Sequence, residues 1–598
     1  MRTYLCLAVC VALTLPQPAL AAERWPYGDA AVAAFNNGDF ASALAALRAE
    51  LAKCEAGRPA ADECLDLLLA VSNMAQHTGD ARSSEAYARQ ALAQAERALP
   101  AGHPDIATSW NNLAGSIVAQ GRTSDAEQLY RKALALREAA LPAGHPDIAT
   151  SWNNLAKNIE AQGRAAEAES MFRRALAQFE AALPSNHPAI ATSWDNLATN
   201  LAAQGRVTAA EPMFRKALVL REAALPAGHP DIAVSWNNLA SNIAAQGRAV
   251  EAEALCRKAL AMFEAALPAG HPIIAMGWNN LASSIAAQGR AAEAEPLFRK
   301  ALSLREAVLP AGHPDIAASW NSLAMNMAAQ GRPEDAEPLY RKALSLREAA
   351  LPAGHPDIAI SLSNLAMNIE VQGRAAAAEP LFRRALALFE AALPSGHPDL
   401  ATSWGNLASN LSAQGRPEDA EPWYRKALSL REAALPAGHP DIAMSWNNLA
   451  SNLSEQGRPA DAEPWLRKAL TLFEAVLPAG HPYFAMSWNN LATVLAEQGR
   501  TAEAEPLFRK AMALREASLT STHADRIGSY WALADHLQRR RIAPAEVRQR
   551  YRQAQAGAFE RMATFTGYTP AAQAEVRKYR PIFTGQVRAA WDLASGAR

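Results

Sequence analysis

The sequence predicts an all-α protein, a solenoid of about 12 to 13 stacked helix hairpins. Three observations predict it. A histidine recurs every 42 residues from His103 to His523, apolar residues inside each interval follow helical spacing, and alanine is the commonest residue. A fixed period of this size is typical of stacked supersecondary units.

Composition and charge exclude several classes of protein. The 598 residues carry 58 Lys+Arg against 59 Asp+Glu, so the chain lacks the basic surface that nucleic-acid binding needs. Half the residues are hydrophobic and only 20% are charged, which excludes a disordered polyampholyte. We therefore expect a folded chain that binds no nucleic acid.

Residues 1–21 have the pattern of a secretory signal peptide. Met1 and Arg2 precede an apolar run from Thr3 to Leu15, and the small residues 19–21 follow Pro-Gln-Pro. The run is shorter than the roughly 20 residues that cross a bilayer. The prediction is an exported protein, periplasmic or secreted, with no membrane insertion.

Export places the remaining cysteines in an oxidising compartment. Cys54 and Cys64 lie close together in sequence, across a segment that contains Gly and Pro, and are a candidate disulfide. Cys256 stands where other copies carry Tyr or Phe, which predicts a buried, inert thiol.

The period divides the chain into segments. Residues 22–100 form divergent N-terminal units, because Gly79 and Tyr87 align one period before their counterparts in the first regular copy. Residues 101–520 are ten tandem copies of 42 residues, and residues 521–598 are a degenerate capping unit with C-terminal helices. Atypical terminal units are usual in solenoids, because one face must meet water.

Each copy encodes two helices, as copy 1 illustrates. Apolar residues three and four apart mark its first helix: Ile106, Trp110, Leu113, Ala114 and Ile117. A similar run marks its second helix: Ala126, Leu129, Tyr130, Ala133, Leu134 and Leu136. Pro104 suits the first helical turn, where no backbone N–H is needed, and Gly121 suits the helix end.

These blocks resemble the tetratricopeptide repeat, lengthened to 42 residues as in the kinesin light chain subclass. The resemblance rests on Trp-x2-Leu-Ala-x2-Ile from Trp110, and on the His-Pro-Asp-Ile-Ala, Asn-Asn-Leu-Ala and Gln-Gly-Arg blocks. It implies a right-handed superhelix in which the first helices line a concave groove. It also implies a non-catalytic role in binding a protein or peptide partner.

Asparagines in the first helices are the candidate binding residues. A first row directly follows the tryptophan position: Asn111, Asn153, Asn237, Asn279, Asn321, Asn447 and Asn489. A second row comes next: Asn112, Asn154, Asn196, Asn238, Asn280, Asn364, Asn406, Asn448 and Asn490. An amide can donate to and accept from a peptide backbone, and the resemblance implies that role. The alternative is that the asparagines bond between neighbouring units. We expect the first row on the groove face.

The other predicted groove residues are small or apolar. They include Ser241, Ser283, Ser409, Ser451, Thr199, Thr493, Met276, Met325, Met367, Met444 and Met486. Lys157 is nearly alone among groove cations, whereas Glu160, Glu370, Glu455 and Glu497 add negative charge. A neutral or mildly basic, partly apolar segment fits this groove better than a chaperone's C-terminal carboxylate.

The histidine and tryptophan ladders favour structural roles. Neighbouring histidines are separated by a helix-packing distance of about 8–10 Å, too far to share one zinc ion. The tryptophans share helical spacing with core residues, so we expect them in the core. Neither a metal nor a cofactor is expected.

No catalytic motif is present, so the predicted function is a non-catalytic exported scaffold. One alternative is a regulatory subunit of a caspase-like CHAT proteolytic system, docking through residues 560–598. Its basis is a loose similarity of Gly567-Tyr568-Thr569-Pro570 and Arg577-Lys578-Tyr579-Arg580-Pro581 to segments beside such domains. The other alternative is a structural spacer in envelope assembly with an empty groove. The oligomeric state stays open.

Overall fold

The computed structural model describes residues 28–57, 64–563 and 570–595. These residues form twenty-seven α-helices and no β-strand. The predicted all-α solenoid is confirmed. The predicted signal peptide, residues 1–21, lies outside the described residues.

The helices pair into units along the chain. The N-terminal units are α1 (Gly28–Asn36) with α2 (Phe40–Ala56), and α3 (Leu65–His77) with α4 (Ala81–Ala98). The first helices of copies 1–10 are α5 (Pro104–Val118), α7 (Pro146–Ala161), α9 (Pro188–Ala203), α11 (Pro230–Ala245), α13 (Pro272–Ala286), α15 (Pro314–Ala329), α17 (Pro356–Val371), α19 (Pro398–Ala413), α21 (Pro440–Glu455) and α23 (Pro482–Glu497). The second helices are α6 (Thr123–Ala140), α8 (Ala165–Ala182), α10 (Val207–Ala224), α12 (Ala249–Ala266), α14 (Ala291–Val308), α16 (Pro333–Ala350), α18 (Ala375–Ala392), α20 (Pro417–Ala434), α22 (Pro459–Val476) and α24 (Thr501–Ser518). After copy 10 come α25 (Ala524–Arg539), α26 (Pro544–Met562) and α27 (Pro570–Ser595).

Each repeated histidine caps the first helix of its copy. In copy 4 the backbone N–H of Asp231 donates to Nδ1 of His229 at 3.2 Å, and Pro230 occupies the first helical position. The ring nitrogen thereby satisfies one of the N–H groups that a helix start leaves unpaired, and proline removes another.

Apolar rows on both helices form a continuous core. In copy 4, Leu239, Ala240 and Ile243 of α11 are fully buried, and Ala252 and Phe263 of α12 pack in the same core. Alanine lets the helix backbones approach closely. Burial of each large aliphatic side chain contributes about 2 kcal/mol relative to exposure.

The Gln-Gly-Arg block binds each copy to the preceding one. Glu211 of α10 accepts hydrogen bonds from Gln246 Nε2 at 2.9 Å and from Arg248 Nη1 at 2.7 Å, both in the next copy. Arg215, one turn further along α10, donates to the same carboxylate. Burial alone would raise the pKa of Glu211, but these three donors together hold it below its usual value. The equivalent pairing recurs along the solenoid.

Successive turns of the superhelix touch each other. A Cβ atom placed on Gly205, in the loop after α9, would lie 2.5 Å from Cδ of Pro440, at the start of α21 six units later. Nε2 of His439 also lies 3.3 Å from the carbonyl oxygen of Ala203. Seven glycines make such contacts: Gly38, Gly79, Gly121, Gly163, Gly205, Gly247 and Gly289. A first helix therefore ends where the first helix six units later begins.

Cys54 and Cys64, the predicted pair, are joined by a disulfide with Cα atoms 5.9 Å apart. The bond ties the end of α2 to the start of α3. Cys256 is a buried thiol whose Sγ lies 3.4 Å from Ser284 Oγ. No helix within the described ranges is both long and apolar enough to cross a membrane.

Candidate partner-binding surface

The first helices line the concave side of the solenoid. First helices of neighbouring copies contact each other as well as their own second helices. In α11 the partly exposed residues Val234, Asn238 and Ser241 are spaced four and three apart, which places them on one helix face. We call this the inner face: the residues five, nine and twelve positions after the repeated histidine.

The inner face carries small, amide and thioether side chains. Every serine, threonine and methionine predicted for the groove lies at one of its positions and is partly or fully exposed. Because first helices stack end on end between turns, the inner face forms a nearly continuous wall.

The second asparagine row lies on this wall. Seven of its nine members are partly exposed, whereas Asn196 and Asn406 are buried. Nδ2 of Asn280 is buried and has no hydrogen-bond partner among the described residues. The spacing from the predicted serine and methionine positions could have identified this row from the sequence.

The first asparagine row lies about 100° further round the helix, between neighbouring first helices. Five members are buried, with Asn237 only 1% exposed, and Asn279 and Asn489 are partly exposed. This differs from our expectation that the row would occupy the groove face. Nδ2 of Asn153 donates to Ser193 Oγ of the next copy at 3.2 Å. This bond is the alternative role considered for the asparagines, a hydrogen bond between neighbouring units.

Inter-unit bonds do not satisfy the whole first row. Carbonyl oxygens of several members have no partner in the part of the chain that the structure describes: Asn111, Asn153, Asn237, Asn279 and Asn321. A role of this row in binding a peptide stays a prediction.

A third asparagine row, which sequence reasoning missed, is structural. Nδ2 of Asn326 donates to the carbonyl oxygen of Ala291, the first residue of the preceding second helix, at 2.9 Å. Asn368 donates to Pro333 in the same way at 2.8 Å. These amides lie thirteen positions after the histidine and join consecutive copies.

Carboxylates lie beside the inner face, three or four positions further along the first helices. Burial lowers the pKa of Lys157 despite the nearby carboxylate of Glu160. Burial raises the pKa of Glu160, which accepts a hydrogen bond from Asn200 Nδ2 at 2.9 Å. Burial likewise raises the pKa of Glu455. A bound segment that carries positive charge would relieve the cost of keeping these carboxylates ionised.

The tryptophans lie at the outer edge of the core rather than uniformly within it. Trp404 and Trp446 are buried, but most of the others are partly exposed. The Lys258 ammonium lies 3.5 Å from the ring centroid of Trp236, and Trp278 Nε1 donates to Glu264 at 3.0 Å. Cations from the second helices thus lie over most of the repeated indoles, including those of Trp194, Trp404 and Trp446.

The repeated histidines act in the fold. Nδ1 accepts from the helix start, and in paired turns Nε2 faces a carbonyl oxygen, as for His397 and Ala161 at 3.3 Å. Over the described ranges, no group of three or more His, Cys, Asp or Glu side chains is arranged to hold a metal ion.

Comparison with known proteins identifies the repeat. A tetratricopeptide repeat family model matches residues 63–139, 147–223, 273–349, 357–433 and 483–558. A second tetratricopeptide repeat model matches residues 232–273 and 442–483. No curated protein matches the chain.

Many solved structures are similar to this chain, and three of them follow. A putative kinesin light chain from Podosopora anserina with nearly identical TPR-like repeats is 26% identical, over 34% of this chain and 97% of its own, with a TM-score of 0.30. BtubC from P. vanneervenii is 22% identical, over 39% of this chain and 90% of its own, with a TM-score of 0.30. A chain of the APC/C hetero-tetramer Cut9-Hcn1 is 12% identical, over 88% of this chain and 92% of its own, with a TM-score of 0.40.

Proposed function

Because this chain belongs to the tetratricopeptide repeat family, we propose that it is a non-catalytic, exported scaffold whose inner face binds an extended segment of a partner protein. Tetratricopeptide repeats generally mediate protein–protein interaction. The observation that supports the site is the repeated second-row asparagine on the concave wall, flanked by serine, threonine and methionine.

The shape of the wall selects an extended segment over a globular surface. Successive turns touch, so a partner reaches the inner face through an open end of the superhelix or while two turns separate. A slender chain meets either condition, and its backbone offers donors and acceptors at regular intervals to the second-row amides. Many weak contacts in series then supply affinity.

The charge of the wall favours a neutral or mildly basic segment. Glu160, Glu370 and Glu455 lie three or four positions beyond the inner face on their first helices, and they outnumber Lys157 on that face. Methionines at the same face suit apolar side chains of varied shape, because the thioether is flexible and polarisable.

Site-specific photo-crosslinking in cells tests the proposal. A crosslinking amino acid at Ser241 or Ser283 probes the inner face, and the same group at the exposed Val219 or Val250 of the second helices is the matched control. We expect one reproducible partner from the inner positions and none from the controls. Crosslinks from the controls alone, or only between copies of this chain, would contradict the proposal.

Two double variants separate the asparagine rows. We expect Asn112→Ala with Asn154→Ala, at two partly exposed positions of the second row, to reduce partner capture about thirtyfold, from roughly 1 kcal/mol for each lost hydrogen bond, without changing thermal unfolding. If Asn237→Ala with Asn279→Ala alone reduces capture at unchanged stability, binding belongs to the first row. Equal loss of capture and stability in both variants would make the asparagines structural.

A further inference from the structure

Each end of the superhelix presents one of the two surfaces that pack together between its turns. At one end, a Cβ atom placed on the loop glycines of copies 7 to 10 would have no described atom within 4 Å; we call these four glycines, Gly373, Gly415, Gly457 and Gly499, the glycine rim. At the other end lies the histidine rim, formed by the histidines that start copies 1 to 4: His103, His145, His187 and His229.

Side chains of the histidine rim are more exposed to solvent than that of a histidine that packs against another turn. The side chains of His103 and His145 are 39% and 38% exposed, whereas that of His397, packed against the loop of Gly163, is 11% exposed. The helices that end at the glycine rim likewise present terminal carbonyl oxygens that need a hydrogen-bond donor, as every helix end does.

The two rims consist of the same residues that pair inside the molecule. Ala203-Gln-Gly-Arg206 packs on Gly438-His-Pro-Asp441 between turns. Identical four-residue blocks occupy the rims, residues 413–416 at the glycine rim and 102–105 at the histidine rim. The local backbone also agrees, since Gly205 and Gly415 have φ values of 74° and 75°.

We propose that this protein associates head to tail with a second copy of itself, the glycine rim of one molecule packing on the histidine rim of the next. His Nε2 then faces a helix-terminal carbonyl oxygen across the contact, as His439 faces Ala203 within one molecule. Because each molecule has one rim of each kind at opposite ends, the contact is heterologous and continues into a filament instead of closing a dimer.

The C-terminal helix α27 also supports a second copy of the chain as the partner at this end. Terminal helices of solenoids usually turn a polar face to water, yet Val587 and Trp591 of α27 are 72% and 74% exposed. They lie four residues apart on one helix face, at the end where the next molecule would continue the stack. The first unit of that molecule buries them.

Charges of both signs line the contact. Glu455 and Glu497 end first helices at the glycine rim, and Asp105 and Asp147 begin first helices at the histidine rim. An arginine directly follows each rim glycine: Arg374, Arg416, Arg458 and Arg500. Salt therefore screens attraction and repulsion together, and the packing of the two blocks provides the contact.

Sedimentation velocity of the mature chain tests the proposal. Wild-type protein should sediment faster as its concentration rises, with species that grow beyond a dimer. Pro104→Glu with Pro146→Glu places bulk and charge on the histidine rim, at helix starts that tolerate glutamate, and should remain monomeric. Ala135→Glu with Ala177→Glu adds the same charge to exposed positions of second helices and should behave as wild type.

A mixing experiment checks the polarity of the contact and does not depend on any one variant. Val371→Glu with Ala413→Glu blocks the glycine rim at exposed positions. Each blocked variant alone should be monomeric, but a mixture should form dimers that do not grow, since one intact rim of each kind remains. Monomeric wild-type protein at every concentration, a closed dimer, or association unaffected by either rim variant would overturn the proposal.

Discussion

At the scale of single residues, one buried ion pair departs from the repeat. Arg221 of α10 donates to Asp195 of α9 and to Ser235 Oγ in the next copy, and both charged side chains are almost fully buried. Asp195 replaces an asparagine of the first row. Burial raises the pKa of Asp195, and the attraction of Arg221 opposes that rise.

Removing only the anion should destabilise copy 3 and its neighbours. We expect Asp195→Asn to cost about 1–2 kcal/mol, because Arg221 loses a charged hydrogen-bond partner and keeps the asparagine neighbour that Arg137 has in copy 1. Adding Arg221→Phe should recover most of the loss, since Phe179 and Phe263 fill the equivalent position of copies 2 and 4. Amide hydrogen exchange of α9 to α11 measures both effects.

The exposed pair Arg122–Asp125 is the control for this experiment. Asp125→Asn should change protection by less than about 0.5 kcal/mol, as is usual for surface pairs. Unaltered exchange in Asp195→Asn would show that Arg221 needs no anion.

At the scale of helices, polar bonds between copies explain why the Gln-Gly-Arg and Ala-Glu blocks recur. Glu211 receives donors from its own helix and from the next copy, so one carboxylate fixes the orientation of three helices. The apolar core provides most of the stabilisation. These directional bonds define how far each unit rotates relative to the last.

Loss of this carboxylate should loosen the junction between copies 3 and 4. We expect Glu211→Ala to lower the local stability of α10 and α11 by about 1–2 kcal/mol, because Gln246 and Arg248 lose their acceptor. Glu222→Ala, at an exposed position of the same helix, is the matched control and should be neutral. Equal exchange rates in the two variants would remove Glu211 from the junction.

At the scale of the whole molecule, successive turns of the superhelix pack against each other and leave no gap at the loop glycines that make these contacts. Gly205 and Gly415 occupy equivalent loops with the same positive φ, but only Gly205 faces another turn. The pair therefore separates local backbone strain from contact between turns.

Alanine at these two glycines should have different effects. Both substitutions incur about 1 kcal/mol of strain at positive φ. Gly205→Ala should also push Pro440 away, and small-angle scattering should then show a longer molecule. Gly415→Ala should keep the wild-type dimensions; equal radii of gyration for the two variants would exclude a contact between turns in solution.

Acid should weaken the same contacts. Burial lowers the pKa of His481 to about 4, and also lowers that of His355 and His439. An unfolded histidine titrates near 6.5, so between these values the unfolded chain binds more protons, and stability falls as pH falls.

His481 alone should contribute up to about 3 kcal/mol of stability that is present above pH 6.5 and lost on acidification toward pH 4. Urea unfolding at pH 7.5 and pH 5 measures the change, before most carboxylates titrate. His481→Gln should reduce the dependence on pH, and an unchanged dependence in that variant would contradict the assignment.

Much of the fold follows from local sequence alone. The 42-residue period, helical spacing, Pro104 and Gly121 predict the helices and their ends, because caps and amphipathic faces depend on residues a few positions apart. The inner-face serines and methionines follow from the same periodicity. Cys54 and Cys64 are close enough in sequence for their pairing to be predicted.

Only the tertiary structure decided which asparagine row faces the concave side and that turns touch. Adjacent residues such as Asn237 and Asn238 differ by about 100° around one helix, and the packing of neighbouring first helices determines which one is covered. The contact of Gly205 with Pro440 joins residues six units apart. It depends on small rotations between stacked units, which add up around a turn and leave no local signal in the sequence.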